Sequence, residues 1–289
     1  MRLGITGAGG FIGRRATALA AARGWEVTRF SRHPDDPSTR KFSLKEPTDV
    51  DGLDAVLHLA GESVFGLWTR SKRARIMDSR VEGTRRVVEG FAEAARPPQV
   101  LVSASGVGFY GNTGDLEADE SSPVGHGFLA DVCQAWEGEA ARLLTARVVL
   151  LRIGLVFGQG GGTIKRALPV FRSGLGGKFG NGRQWMSCIH VDDVVGLVLW
   201  AIEDKLLSGP LNAVMPHPCR NAEFTDTLAK AVRRPAILPA PSFLLRLFLG
   251  QMSSLLLHSS RVRPAVAHER GYAYAFPQLT SALAAVVRG

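Results

Sequence analysis

Cysteine is scarce. There are three in 289 residues, Cys133, Cys188 and Cys219, far apart and in no C-x-x-C or His/Cys cluster. That argues against a zinc site, and no metal is expected. An odd count at such spacings fits a reducing compartment rather than a disulfide scaffold. Long apolar runs are missing too. The longest, Phe243 to Leu257, is broken by Arg246, Gln251 and the pair Ser253-Ser254, which leaves it too short and too polar to span a bilayer. The chain runs from Met1 straight into an apolar strand, with no signal-peptide pattern. Together these absences predict a cytoplasmic protein with no membrane partner. Despite a net charge of +9, no four basic residues stand in a row. No basic stripe interleaves with aromatics, so nucleic acid is not an expected partner. The positive excess reads as a diffuse surface, part of it available to phosphates. No internal repeat is visible.

What is present is an ordinary apolar content, 45 %, and 33 glycines, which suits a folded domain with many tight turns. Short apolar strands at Met1 to Thr6, Glu26 to Ser31, Ala55 to Ala60, Val100 to Ser103 and Arg147 to Arg152 alternate with helical patterns. The helices fall at about Ile12 to Ala22, Ser71 to Ala95 and Phe128 to Leu144. Gly24 ends the first in the C′ position. This alternation predicts an α/β fold, a Rossmann-type doubly wound parallel sheet, with a smaller C-terminal substrate lobe. The expected division is a nucleotide-binding domain over 1–215, with a lobe insertion at about 160–184, and a cover lobe over 216–289. Residues between Arg32 and Asp54 read as a polar, Pro-containing loop, and Phe243 to Leu257 as one helix over the lobe.

Thr6-Gly7-Ala8-Gly9-Gly10-Phe11-Ile12-Gly13 follows the first strand and opens the first helix. That is the frame of a dinucleotide-binding loop. One glycine permits the sharp turn, one lets a pyrophosphate approach the backbone, and one lets helix and strand pack closely. The helix N-terminus then faces the phosphates. The spacing is G-x-x-G-x-x-G on Gly7, Gly10 and Gly13. At the end of the second strand an acid would hold the adenosine ribose and repel a 2′-phosphate. The position 18 residues past Gly13 is instead Ser31, followed by Arg32. A hydroxyl beside a guanidinium fork suits a phosphate dianion, so NADP(H) is the expected cofactor. The alternative is that Arg32 is a solvated loop residue and Ser31 a turn residue.

Further segments fall into order behind this loop: His58-Leu59-Ala60-Gly61, Ser103-Ala104-Ser105, Tyr110-Gly111, Arg152-Ile153-Gly154-Leu155-Val156, Gly180-Asn181-Gly182-Arg183-Gln184 and Ile189-His190-Val191-Asp192-Asp193. The series resembles the extended short-chain dehydrogenase/reductases, the family of nucleotide-sugar epimerases and dehydratases, over about residues 1–215. Leu59-Ala60-Gly61-Glu62, Trp68, Ser79-Arg80, Phe128-Leu129 with Cys133 and Trp136-Glu137, and the tail with Gly271-Tyr272 and Phe276-Pro277 are similar to its atypical branch, which carries a C-terminal domain of unknown function. The resemblance adds Leu59, Ala60, Gly61, Arg80, Ser103, Gly154 and Val156 to the cofactor site. It places Arg183 and Gln184 where relatives contact a sugar nucleotide.

The same resemblance implies a Tyr-x-x-x-Lys pair on the helix after the fifth strand, where the lysine lowers the phenol pKa. Here Leu129 and Cys133 stand at those positions. Only three tyrosines exist, Tyr110, Tyr272 and Tyr274. Ser105 matches the serine that holds a substrate oxygen. The remaining acid/base candidates are Ser105, Tyr110 and Cys133, with Asp131 behind them. Each has a plain structural reading as well; a lone cysteine is most often a small buried hydrophobe. Two uses of the chain follow. One is an NADP(H)-dependent oxidoreductase or epimerase-like enzyme with a rebuilt acid/base set and a small-molecule substrate. The other is a non-catalytic NADP(H)-binding sensor or scaffold. Either would be a monomer or a homodimer. His190-Val191-Asp192-Asp193 resembles a catalytic cluster but reads as structural, with Asp192 or Asp193 capping the next helix.

Overall fold

The structure, a computed structural model, describes residues 1–34, 36 and 38–288. Strand β1 (Arg2–Thr6) is buried from Leu3 onward, as an inner parallel strand must be when helices cover both faces. The glycine loop leads to α1 (Phe11–Ala22), which turns at Arg23 and at Gly24, φ 74°, into β2 (Glu26–Ser31). Next come β3 (Thr39–Lys41) and β4 (Ala55–His58). Helix α2 (Arg70–Glu93) is opened by Thr69, whose hydroxyl accepts from the Lys72 N–H. Strand β5 (Val100–Gly106), helix α3 (Phe128–Ala140) and strand β6 (Arg147–Ile153) continue the alternation. After β7 (Leu155–Gly158), β8 (Gly161–Gly162), α4 (Ile164–Arg172), β9 (Trp185–Met186) and β10 (Cys188–His190) come α5 (Val191–Glu203) and β11 (Gly209–Ala213).

Seven strands form one parallel sheet in the order β11-β6-β5-β4-β1-β2-β3. The order reverses at β1, which pairs with β2 on one side and β4 on the other. The crevice beyond the carboxyl ends of β1 and β4 is therefore the topological switch point of a Rossmann-type fold. One face of the sheet packs on α1 and α5 through Ala16, Ala20, Val194, Leu197 and Val198. The other packs on α2 and the segment just after α3 through Val87, Phe91 and Leu143.

A second apolar cluster lies beside this body. Phe157, Ile164 and Phe171 meet Phe224 and Leu228 of α6 (Asn221–Val232) and Leu283 of the closing helix. Strand β12 (Cys219–Arg220) pairs with β9. Helices α7 (Ser242–Leu249) and α8 (Ser254–Leu257) follow, then α9 (Ala265–Glu269) and α10 (Leu279–Arg288).

Three expectations need correction. The polar loop after Arg32 contains β3, an edge strand of three polar residues; it pairs on one side only and has no apolar alternation to reveal it. The single helix over Phe243 to Leu257 is two, parted at Gly250 with φ 53°. The cap of α5 is not an aspartate: His190 Nδ1 accepts from the Asp192 N–H at 3.2 Å. Asp192 instead pairs with Arg15 of α1 at 2.6 Å. Asp193 accepts from the Ala275 and Phe276 N–H groups at 2.7 and 3.0 Å, anchoring the tail to the main body.

Candidate functional site

The glycine loop is shaped by close backbone contact. At Gly7, φ 70°, a Cβ would stand 2.9 Å from the Leu59 carbonyl carbon. A Cβ on Gly13 would stand 2.3 Å from the Gly7 carbonyl oxygen. Gly10 closes the turn by donating to Gly7 O at 2.9 Å. Nothing lies within 4 Å of a Cβ on Gly9, so the loop is open there. No side chain caps α1, and its first turn holds no acid, so the helix dipole meets the crevice unopposed. Phe11 points away and seats its ring on the Gly161 turn, where a Cβ would come within 2.0 Å of it. That explains the glycines at 161 and 162, and it is a contact the linear sequence does not advertise.

The facing wall is the segment after β4. Thr6 Oγ1 accepts from the Leu59 and Ala60 N–H groups at 3.1 and 3.2 Å. With both N–H groups on that oxygen, its own proton goes to His58 Nδ1, 2.7 Å away. His58 is therefore the neutral Nε2–H tautomer, and burial pushes its pKa down to about 3, with Arg80 adding to the effect. Thr6 and His58 together hold Leu59-Ala60 against the glycine loop. Arg80, from α2, donates to Glu62 O at 2.9 Å and Ile76 O at 3.2 Å and lies over the Trp136 ring. A Cβ on Gly61 would stand 3.2 Å from its guanidinium carbon. Burial lowers the Arg80 pKa, and no carboxylate pairs with it among the described residues. Such a cation beside a crevice is a ready partner for an anion. Ser103 Oγ is buried with no partner.

At the outer end, Ser31 makes a turn with His33, its Oγ donating to His33 O at 3.0 Å. Arg32 is exposed beside it. Glu62 is held below the usual carboxylate range chiefly by its hydrogen bond to Lys72, with Arg75 and Arg32 contributing. The crevice is thus rimmed by cations from two segments, the turn after β2 and helix α2. Gly154 and Val156 sit further along: a Cβ on Gly154 would be 2.3 Å from Ser187 O, and Val156 pairs with Ile189.

Behind the crevice runs a buried polar chain. Ser105 Oγ donates to Glu137 Oε1 at 2.6 Å. Arg152 grips the same carboxylate with two bonds, Nε to Oε1 at 2.9 Å and Nη2 to Oε2 at 2.8 Å. Its Nη1 donates to the Tyr110 hydroxyl at 2.9 Å, and that hydroxyl donates to Asn212 Oδ1 at 2.7 Å. Asn212 N donates to Glu120 Oε1 at 3.0 Å. Every member is buried.

On the lobe side lies an open cleft of about 710 Å³, lined among others by Asp115, Phe179, Arg183, Arg220, Phe243 and Arg246. Gln184 is not a free ligand there: its amide donates to Phe179 O and Leu256 O at 3.1 and 2.8 Å. Trp68 donates to Val64 O at 2.8 Å and packs edge-on against Phe128.

Residues 3–212 match the NAD dependent epimerase/dehydratase family, and residues 240–286 match a domain of unknown function, DUF1731. The chain belongs to the NAD dependent epimerase/dehydratase family. The mouse epimerase family protein SDR39U1 is 37% identical over 294 residues, covering 99% of this chain and 100% of that protein. The human epimerase family protein SDR39U1, isoform 2, solved with NADPH, superposes with a TM-score of 0.95 at 34% identity over 100% of this chain and 99% of that one. A nucleoside-diphosphate sugar epimerase from Corynebacterium glutamicum gives 0.83 at 32% identity, over 99% of this chain and 58% of that one.

The two α3 positions expected to carry an acid/base pair hold Leu129 and Cys133. Burial pushes the Cys133 thiol up to about 11, the opposite of an activated cysteine. Burial likewise pushes Tyr110 up to about 12, even with Arg152 beside it. Ser105 has its proton committed to Glu137, and Asp131 is exposed in the first turn of α3. Glu137, Arg152, Asn212 and Glu120 were not singled out by sequence as a set. The signal for the first two was present, since both stand in the quoted motifs, but nothing in their spacing of 15 residues announces a pair.

Proposed function

We propose that the chain binds NADP(H) in the switch-point crevice and is an NADP(H)-dependent oxidoreductase or epimerase-like protein acting on a small molecule in the lobe cleft. The observation that carries the reading is the bare glycine cradle at the α1 N-terminus, rimmed by cations, with Ser31 where an NAD-binding chain would place an acid and Arg32 next to it. The NADPH of the human relative supports it. Gly7, Gly9, Gly10 and Gly13 would take the pyrophosphate, Ser31 and Arg32 the 2′-phosphate, and Leu59, Ala60 and Arg80 the inner half. The bound cofactor supplies or accepts a hydride. The protein's own part is to orient it and to keep water from the crevice. The division of labour is a cofactor domain over 1–215 and a substrate lobe over 216–289. Three free, buried cysteines support a reducing, cytoplasmic setting. Among the described residues no helix is long and apolar enough to cross a membrane.

A second reading, binding without turnover, is favoured by the engagement of Ser105, Tyr110 and Cys133 in the buried interior. Calorimetric titration with NADPH and NADH, followed by a carbonyl and nucleotide-sugar screen at saturating cofactor, separates the two. Micromolar NADPH binding with no turnover on any substrate selects the sensor. In the same titration, Arg32→Asp is expected to weaken NADPH by about 10- to 100-fold, the worth of one charge-assisted bond, while sparing NADH. Equal losses for both cofactors would remove Arg32 from the 2′-phosphate site. Gly13→Ala forces a methyl against Gly7 O. It is expected to cost about 1–3 kcal/mol of stability and to abolish the melting-temperature rise given by NADPH. A variant that still responds to NADPH like the parent protein contradicts the cradle.

A further inference from the structure

Two features of the lobe cleft are unaccounted for. The first is charge. Arg183, Arg220 and Arg246 line it against the single carboxylate of Asp115. Arg220 spends its charge on that carboxylate at 2.8 Å and stacks on Trp185. Arg183 and Arg246 enter no ion pair among the described residues.

The second is α7. Six of its eight residues, SFLLRLFL, are apolar, yet none is buried. Phe243, Leu247 and Phe248 are 66 %, 73 % and 69 % exposed. Phe243, Arg246 and Leu247 stand at i, i+3 and i+4, on one face of the helix, and Phe243 and Arg246 already line the cleft. Leu247 therefore prolongs an apolar track out of its mouth. Residues 175 and 236, and 179 and 240, pair as two short bridges leading to the same mouth, and they leave Leu175, Ile237 and Leu238 exposed. An apolar lip of this kind on one rim of a cationic cleft marks a binding surface.

We propose that the cleft takes an amphipathic anion, an organic phosphate with a long alkyl chain, as a single molecule from solution. Its head group sits between Arg183 and Arg246, and its chain lies along Phe243 and Leu247 of α7. A phosphate satisfies guanidinium groups that have no protein partner, and an alkyl chain removes from water the apolar surface that the fold leaves exposed. A purely polar ligand would answer the charge and leave α7 unexplained. This names the substrate class of the cleft and so rests on the function proposed above.

The test is calorimetry on the full chain with dodecyl phosphate below its micelle concentration, beside inorganic phosphate, dodecyl maltoside and phosphatidic acid vesicles. Dodecyl phosphate is expected to bind at least about tenfold more tightly than either soluble control. Arg183→Gln with Arg246→Gln is expected to remove about tenfold or more of that affinity. Phe243→Ser with Leu247→Ser is expected to erase the advantage of the chain while leaving inorganic phosphate unchanged. Equal binding of dodecyl phosphate and inorganic phosphate overturns the proposal. So does binding to vesicles alone, or self-association through α7 with no ligand uptake. A parallel NADPH titration of each variant keeps the two readings apart. Intact NADPH binding with no dodecyl phosphate binding sinks the substrate class only, whereas loss of NADPH binding in the unmodified chain sinks the cofactor reading.

Discussion

Arg152→Met is expected to lower the free energy of unfolding by about 3–5 kcal/mol, the cost of leaving a buried carboxylate without its partner. The guanidinium satisfies both oxygens of Glu137 and the Tyr110 hydroxyl, and it lies 3.5 Å from the Phe109 ring centroid. Methionine fills much of the volume and supplies none of the donors. Glu137 would then keep one partner, Ser105, and Tyr110 would lose a donor in a place where water cannot replace it. Glu137→Gln should also be costly, because one carboxylate oxygen becomes an NH2 donor facing an Arg152 donor and the buried guanidinium loses its counter-charge. The double variant Arg152→Met with Glu137→Leu should recover much of the loss, since removing both charges also removes their desolvation. Urea titrations of the parent, Arg152→Met, Glu137→Leu and the double variant close the cycle and give the coupling energy directly. A single-variant cost below about 1 kcal/mol, in the range of an exposed pair, would show that the chain is solvated and free to take part in chemistry.

That outcome matters for the function because the chain absorbs two of the three acid/base candidates. Ser105 and Tyr110 were legible as candidates by residue type and position, and the structure links them through Glu137 and Arg152. What the sequence could not display is the partner that claims each of them. Glu137 lies on α3 and Arg152 on β6, and Asn212 comes from β11, the strand that β6 pairs with at the sheet edge. Those contacts arise from tertiary packing, which no local pattern encodes. The inner strands were readable to within a few residues because parallel strands covered on both faces must be continuously apolar. The cofactor loop was readable because two of its glycines answer local steric demands, a positive φ at Gly7 and a backbone contact at Gly13. Strand β3 was not, since Thr39-Arg40-Lys41 is set by pairing with β2 and not by its own hydrophobicity. Gly250 breaks the apolar run of 243–257 within a pattern that otherwise suits one helix, and one glycine costs a helix only about 1 kcal/mol, too little to fix a boundary by itself.

The acid stability of the protein should carry a mark of His58. Its pKa is depressed, from an ordinary 6.5 to about 3, first by burial and then by the charge of Arg80. The folded state therefore resists the proton that the unfolded chain accepts. Stability from this group is fully present above pH 6.5 and is lost as pH falls toward 3. At about 1.4 kcal/mol per pH unit, the whole loss amounts to roughly 4–5 kcal/mol. Carboxylates held low by partners, such as Asp54 and Asp115, lose their contribution in a more acid window, below about pH 4. Asp193 and Glu120 are raised by burial, so they favour the folded state as pH falls and partly offset His58. Comparing the parent with His58→Asn isolates the effect. Asparagine can still accept from Thr6 Oγ1 and does not titrate. The variant should begin less stable at pH 7 and lose less between pH 6.5 and 4.5, so the two stability curves converge. Parallel curves across that window would mean that His58 is reached by water and titrates normally. The same proton would break the bond from Thr6, whose oxygen holds the Leu59 and Ala60 N–H groups. NADPH affinity of the folded parent should therefore hold between pH 6.5 and 4.5 and fall only as the pH nears 3, a fall that His58→Asn should not show, which ties the buried histidine to the crevice wall it supports.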